Sequence, residues 1–214
     1  LWNTPYNAKV LPLAQFWIGE LSYKMGRINE SIESLEKFLK DPVEQGEVTQ
    51  RHARYTLGYC YLKKSNYNKA SENFQYVSNY NHSNRIEAYQ KDAFVRLADC
   101  QMMNKQYKLA LQSFQKIINE EPDYRDYASL QKAILLGGMN QLDEKIKILN
   151  EFDTQFTNSI YKVDALMELA DTYTNQERFQ EAIAPLTKVL LDKNAGYCNW
   201  PQRNHRSSCS KCNL

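Results

Sequence analysis

Residues 53–77 read Ala53-Arg54-Tyr55-Thr56-Leu57-Gly58-Tyr59-Cys60-Tyr61-Leu62-Lys63-Lys64-Ser65-Asn66-Tyr67-Asn68-Lys69-Ala70-Ser71-Glu72-Asn73-Phe74-Gln75-Tyr76-Val77. Leu57, Tyr61, Phe74 and Val77 are large, while Gly58 and Ala70 are small, and a short polar run at 65–67 separates the two groups. This spacing predicts two antiparallel helices joined by a tight turn. Gly58 and Ala70 are small because the helices cross there, where a larger side chain would push the backbones apart. The large residues fill the space around the crossing, and Ser65-Asn66-Tyr67 supply the turn chemistry. Such a pair cannot bury its apolar face alone, so copies of it are expected on both sides.

The copies are there. The small residue of the first helix recurs as Gly19, Gly58, Ala98, Ala133 and Ala170, at intervals of 39, 40, 35 and 37. The first copy pairs a helix near Leu13–Met25 with one near Ile28–Lys40, with Gly26 at the turn and Asp41-Pro42 as the stop. The third has Phe94, Leu97 and Ala98, then Tyr107, Ala110, Phe114 and Ile117. In the fourth, Lys145 replaces the small Ala of the second helix, and Gly137-Gly138 predicts a frayed or early-ending first helix. The fifth recovers the pattern with Leu166, Leu169, Ala170, Tyr173, Phe179, Ala182 and Leu186, and carries Pro185 inside its second helix. Residues 1–12, with Pro5 and Pro12, read as a turn arriving from an earlier element. The repeats therefore lie near 12–42, 48–80, 88–122, 126–157 and 161–193, forming one array over 1–192 with an irregular basic tail at 193–214. Polar links such as 41–46 and 79–85 absorb the variation in spacing.

Composition agrees with a helical, water-facing chain. Seven Gly and six Pro are few for a fold of many tight turns, and 24% charged against 43% hydrophobic residues is ordinary for a globular protein. No apolar run approaches the roughly 18–20 residues of a membrane span. Four of the 27 basic residues lie beyond Asp192 with no acid among them, so the body is near neutral and offers no basic stripe for nucleic acid.

Leu57-Gly58, Tyr61 and Ala70-x-x-x-Phe74, with their copies over residues 13–192, resemble the tetratricopeptide-repeat family, whose period is about 34 residues. The spacer lengths and the register Phe179 to Ile183 are similar to long bacterial members, often associated with the cell envelope. The resemblance implies an all-α, right-handed superhelix whose first helices line a concave face that grips a peptide or partner protein, and it implies no catalysis and no cofactor. Carried over by register, the groove positions are Phe16, Glu20, Tyr23 and Lys24; Tyr55, Tyr59, Leu62 and Lys63; Val95, Asp99, Met102 and Met103; and Met167, Asp171, Thr174 and Asn175. Aromatics and methionines there suit adaptable recognition of a peptide, and the core pattern leaves Tyr55, Tyr59, Leu62 and Lys63 free for it. Family members that clamp a terminal carboxylate place Asn just after the small residue. Here those positions hold Glu20, Tyr59, Asp99, Ile134 and Asp171, so a mixed or basic ligand is expected instead.

Two alternatives stay open. As the alternative to the binding scaffold, the chain reads as a structural segment of a larger array, whose ends pack on further repeats, and self-association through the uncapped last helix belongs to that reading. Its compartment is left open between cytoplasm and bacterial periplasm or envelope. Cys60 and Cys100 occupy equivalent first-helix positions and are expected to be buried, unpaired thiols. Cys198, His205, Cys209 and Cys212 in the tail form an alternative zinc set, though their order matches no specific zinc arrangement. His52 and His82 are isolated, and no nucleophile–base pair or phosphate loop appears, so an enzyme is not expected.

Overall fold

The computed structural model describes residues 5–79 and 87–192, with side chains from residue 10 onward. Among the described residues the structure is all-α. The helices are α1 (Pro5–Lys24), α2 (Ile28–Phe38), α3 (Gln50–Lys63), α4 (Tyr67–Ser78), α5 (Ala88–Met103), α6 (Tyr107–Glu120), α7 (Arg125–Gly138), α8 (Leu142–Gln155), α9 (Lys162–Asn175) and α10 (Phe179–Leu191), with a one-turn 3-10 helix at Pro122–Tyr124. They fall into two compact units, Leu1–Gln106 and Tyr107–Leu214. Unit 1 holds α1–α5 and unit 2 holds α6–α10.

A single turn design recurs in both units. Every first helix ends five residues past its small residue, at Lys24, Lys63, Met103, Gly138 and Asn175. Two residues later the backbone turns left-handed, at Gly26 (φ 75°), Ser65 (56°), Lys105 (61°), Asn140 (61°) and Glu177 (59°). The next amide then donates back across the turn: Arg27 to the Ser22 carbonyl at 2.8 Å, and Asn66 to Tyr61, Gln106 to Gln101, Gln141 to Leu136 and Arg178 to Tyr173, each at 2.9 Å. This is the six-to-one bond of a helix end closed by a left-handed residue, and it satisfies a carbonyl the helix leaves bare.

Within unit 1, α1 packs on α2, α2 on α3, α3 on α4 and α4 on α5, and α1 also touches α3. Phe16, Leu35, Phe38, Leu57, Phe74 and Val77 form its buried core. The crossing is tight: a Cβ built on Gly58 would sit 2.6 Å from the Phe74 ring. Unit 2 repeats the arrangement through α6–α10 around Leu130, Ile146, Leu149, Phe152 and Leu169.

Three expectations are corrected. Residues 5–12 are helical, not a turn: Pro5 is the first residue of α1, where a missing N–H costs nothing, and the helix runs on through Pro12. The glycines at 137 and 138 do not shorten α7, which ends in the same register as its counterparts, because they occupy a last turn that stops there anyway. Lys145 is not a worn position either. It is buried, and its ammonium reaches the Glu168 carboxylate of α9 at 2.6 Å. A Cβ on Gly137 would lie 2.9 Å from the Lys145 side chain, so the glycine leaves the space the lysine passes through. α10 continues as a helix past the buried Pro185.

Candidate functional site

The carried-over positions divide by unit and by depth. In unit 1, Phe16 and Val95 are buried, so neither can meet a ligand: Phe16 packs edge-on against Phe38 at 5.4 Å. Glu20, Tyr23, Tyr55, Tyr59, Leu62, Asp99, Met102 and Met103 are half-buried, and Lys24 and Lys63 are exposed. In unit 2, Met167 is half-buried while Asp171, Thr174 and Asn175 are exposed. There Asn175 Nδ2 donates to Asp171 Oδ2 at 3.0 Å and Thr174 bonds back to the Ala170 carbonyl at 2.8 Å, a small polar strip along α9.

Unit 1 gathers its tyrosines. Tyr55 and Tyr59 meet edge-on at 5.1 Å, Tyr59 sits 6.5 Å from Tyr23, and the Lys63 ammonium lies 4.9 Å over the Tyr23 ring. Neither Tyr55, Tyr59 nor Leu62 is left free by the core: all three pack on it, with Tyr59 edge-on to Phe74 at 5.3 Å. Their hydroxyls are also engaged. Tyr55 Oη donates to Asp92 Oδ2 at 2.8 Å, and Tyr59 Oη makes a short bond to the same oxygen. Arg96 completes the group, with Nε donating to Tyr59 Oη at 3.1 Å, Nη2 3.3 Å from Asp92 and Nη1 2.8 Å from Asp99. Burial, then the Asp92 carboxylate, pushes the Tyr55 hydroxyl above its ordinary value. Burial also dominates at Tyr59, against the opposing Arg96 charge. Both therefore remain protonated donors, which is what an Asp92 acceptor requires.

Asp92 and Arg96 escaped the register argument because they fall outside the carried-over positions. An acid and a base one turn apart on α5, facing two tyrosines on the preceding first helix, were the available signal. The network ties α3 to α5 and holds the aromatic rings in fixed orientation. Beside it, Glu20 is raised above the usual carboxylate range by burial, with a Thr56 hydrogen bond and the His52 and Lys24 charges opposing. Its Oε1 is buried without a partner. His52 stacks at 4.5 Å on Tyr89 and closes the α3 N-terminus with Thr49, a structural role.

Cys60 and Cys100 are buried free thiols, and Cys60 Sγ lies 3.3 Å from Ser31 Oγ as donor. Burial pushes Cys60 up to about 11 and Cys100 to about 12. His82 and the tail set Cys198, His205, Cys209 and Cys212 lie outside the described residues. Among the described residues no helix is long and apolar enough to cross a membrane.

A sequence profile of the tetratricopeptide repeat matches residues 13–42 and 92–124. No curated protein matches the chain in sequence. Among solved structures, MamA from Desulfovibrio magneticus RS-1 is 19% identical, with 84% of this chain and 93% of that one covered and a TM-score of 0.66. The repeats of a putative kinesin light chain from Podosopora anserina give 16% identity, 83% and 92% coverage and a TM-score of 0.62. YrrB, a tetratricopeptide protein with an unusual peptide-binding site, gives 21% identity, 81% and 82% coverage and a TM-score of 0.59. Matching helix pairs, one recurring turn and a shared fold across most of the chain lead to one conclusion: residues 13–42 and 92–124 match the tetratricopeptide repeat, and the chain has the fold of tetratricopeptide-repeat proteins.

Proposed function

We propose that the protein is a non-enzymatic scaffold that binds a peptide or partner protein on the first-helix face of unit 1. The fold is one used for protein–protein interaction, and the observation that carries the narrower reading is the tyrosine patch held by Asp92 and Arg96. Rings locked before binding lose little entropy on contact, so an ordered aromatic surface binds more tightly than a mobile one. Glu20, Asp92 and Asp99 stand against Lys24, Lys63 and Arg96 on this face, and Arg96 already neutralises two of the acids. That balance fits a ligand of mixed charge with apolar anchors better than a strongly basic one. Tyr23 and Lys63 are the residues to test, since Tyr55 and Tyr59 also support the core.

Peptides selected by display against the chain are expected to bind the Tyr23→Ala/Lys63→Glu variant at least ~10-fold more weakly, the loss typical of a central contact. Unchanged affinity in a variant with native circular dichroism would remove the assignment of this face. The alternative, a segment of a larger array, is supported by the apolar surfaces left at α1 and α10.

A further inference from the structure

A run of aromatic rings lies along the first-helix face of unit 1. On α3, His52, Tyr55 and Tyr59 fall at helical spacing, which places them on one side of the helix. Tyr23 of α1 closes one end of this stripe, 6.5 Å from Tyr59. Tyr89 of α5 closes the other, 5.6 Å from Tyr55 and 4.5 Å from His52. All five residues are half-buried, so each keeps part of its surface open. Neighbouring rings meet at steep angles, 82° for Tyr55 on Tyr59 and 65° for Tyr55 on Tyr89, so the stripe is notched and not flat. The notches are held open, because Asp92 bonds both the Tyr55 and the Tyr59 hydroxyls and Arg96 bonds that of Tyr59.

The length of the stripe selects a backbone conformation. From His52 to Tyr59 it rises about 10 Å along α3, at about 1.5 Å per residue. A chain in the polyproline II conformation advances about 3.1 Å per residue with about three residues per turn, so positions i and i+3 face the same way about 9 Å apart. Two such positions match the two ends of the stripe. Strand addition is ruled out here, since a face built of helices offers no row of free backbone donors. Polyproline II needs none, as its backbone stays in water. Proline also arrives with its conformation set, so an ordered chain meets ordered rings, whereas a leucine in the same notch gives up rotamer freedom.

We infer that the occupant of this face is a proline-rich segment with prolines at i and i+3, one seated between Tyr23 and Tyr59 and the other among Tyr55, Tyr89 and His52. The inference rests on the first-helix face of unit 1 being the binding face. Charge fixes the flank of the segment. The Lys63 ammonium lies 4.9 Å over the Tyr23 ring, and the adjacent Lys24 is exposed, so an acidic residue stands beyond the proline at that end.

Fluorescence anisotropy tests this with a labelled oligoproline peptide bearing glutamates at both ends. It is expected to bind the wild-type chain with a Kd below about 1 mM. The same peptide with alanine in place of proline, and the Tyr23→Ala variant with the original peptide, are each expected to bind at least ~10-fold more weakly. Lys63→Glu, at an exposed site and with helix content checked by circular dichroism, is expected to weaken the glutamate-flanked peptide and to strengthen a lysine-flanked one. Absence of binding by the wild type overturns the inference, and so does equal binding of the alanine peptide. Indifference of both peptides to Lys63→Glu, or of the original peptide to a natively folded Tyr23→Ala, places the peptide elsewhere and overturns it too. Display-selected peptides that bind Tyr23→Ala/Lys63→Glu weakly yet carry no prolines at i and i+3 overturn this inference and leave the binding face standing. Selected peptides indifferent to that variant remove the face itself.

Discussion

Three of the five left-handed turn positions are occupied by side chains that resist that conformation, Ser65, Lys105 and Glu177, while Gly26 and Asn140 adopt it more readily. A left-handed residue with a Cβ costs roughly 1–2 kcal/mol, offset in part by the extra unfolded-state freedom of glycine. Lys105→Gly is therefore expected to stabilise unit 1 by about 0.5–1 kcal/mol in urea melts, and Gly26→Ala to destabilise it by a similar amount. The Lys145–Glu168 pair gives a second test. Glu168→Ala strands a buried ammonium and is expected to cost about 1–3 kcal/mol. The double variant Lys145→Met/Glu168→Leu replaces the whole pair by apolar chains, and is expected to be neutral or stabilising. Loss of stability in the double variant as large as in Glu168→Ala would show that the ion pair itself holds α8 to α9. At this scale the sequence misled by treating residues singly. Gly137 and Lys145 each look like damage to the repeat, yet together they are one compensated contact, eight positions apart and visible only when the helices are packed.

Among the elements, two carboxylates give opposite responses to acid. Glu20 on α1 is raised by burial, so at neutral pH the folded state holds a charge it resists. That penalty fades as pH falls through the raised value and is gone below the ordinary 4.5. Glu20→Gln is expected to raise the melting temperature by about 2–4 °C at pH 7, a gain of about 1 kcal/mol that vanishes toward pH 4. Asp153 on α8 is lowered, first by its hydrogen bond to Lys188 and then by that to Lys162, at 2.7 and 2.9 Å. Its contribution is full above the ordinary 3.8 and is lost as pH drops through the lowered value, so unit 2 loosens in strong acid. Helix pairing was legible in the sequence because crossing residues repeat at fixed spacing. The Asp92 network was not, since its partners lie 37 and 33 residues apart and nothing in the repeat pattern demands a polar link there. Phe16 and Val95 failed as surface positions for a related reason: one register carried across all copies cannot tell which residue of a first helix turns inward.

For the molecule as a whole, the buried thiols report on the folded state. With Cys60 and Cys100 buried and their pKa values raised, neither is expected to react with an aromatic disulfide reagent at pH 8 until denaturant opens the chain. The shared turn has one more use. The amides of Arg27, Asn66, Gln106, Gln141 and Arg178 make the same bond in the same geometry, one in each repeat. Hydrogen exchange at these five sites compares like with like, so differences in their protection measure local opening of each repeat without correction for bonding pattern. The chain carries one native gauge in each repeat, and a ligand that holds one repeat closed would be located by the gauge it slows.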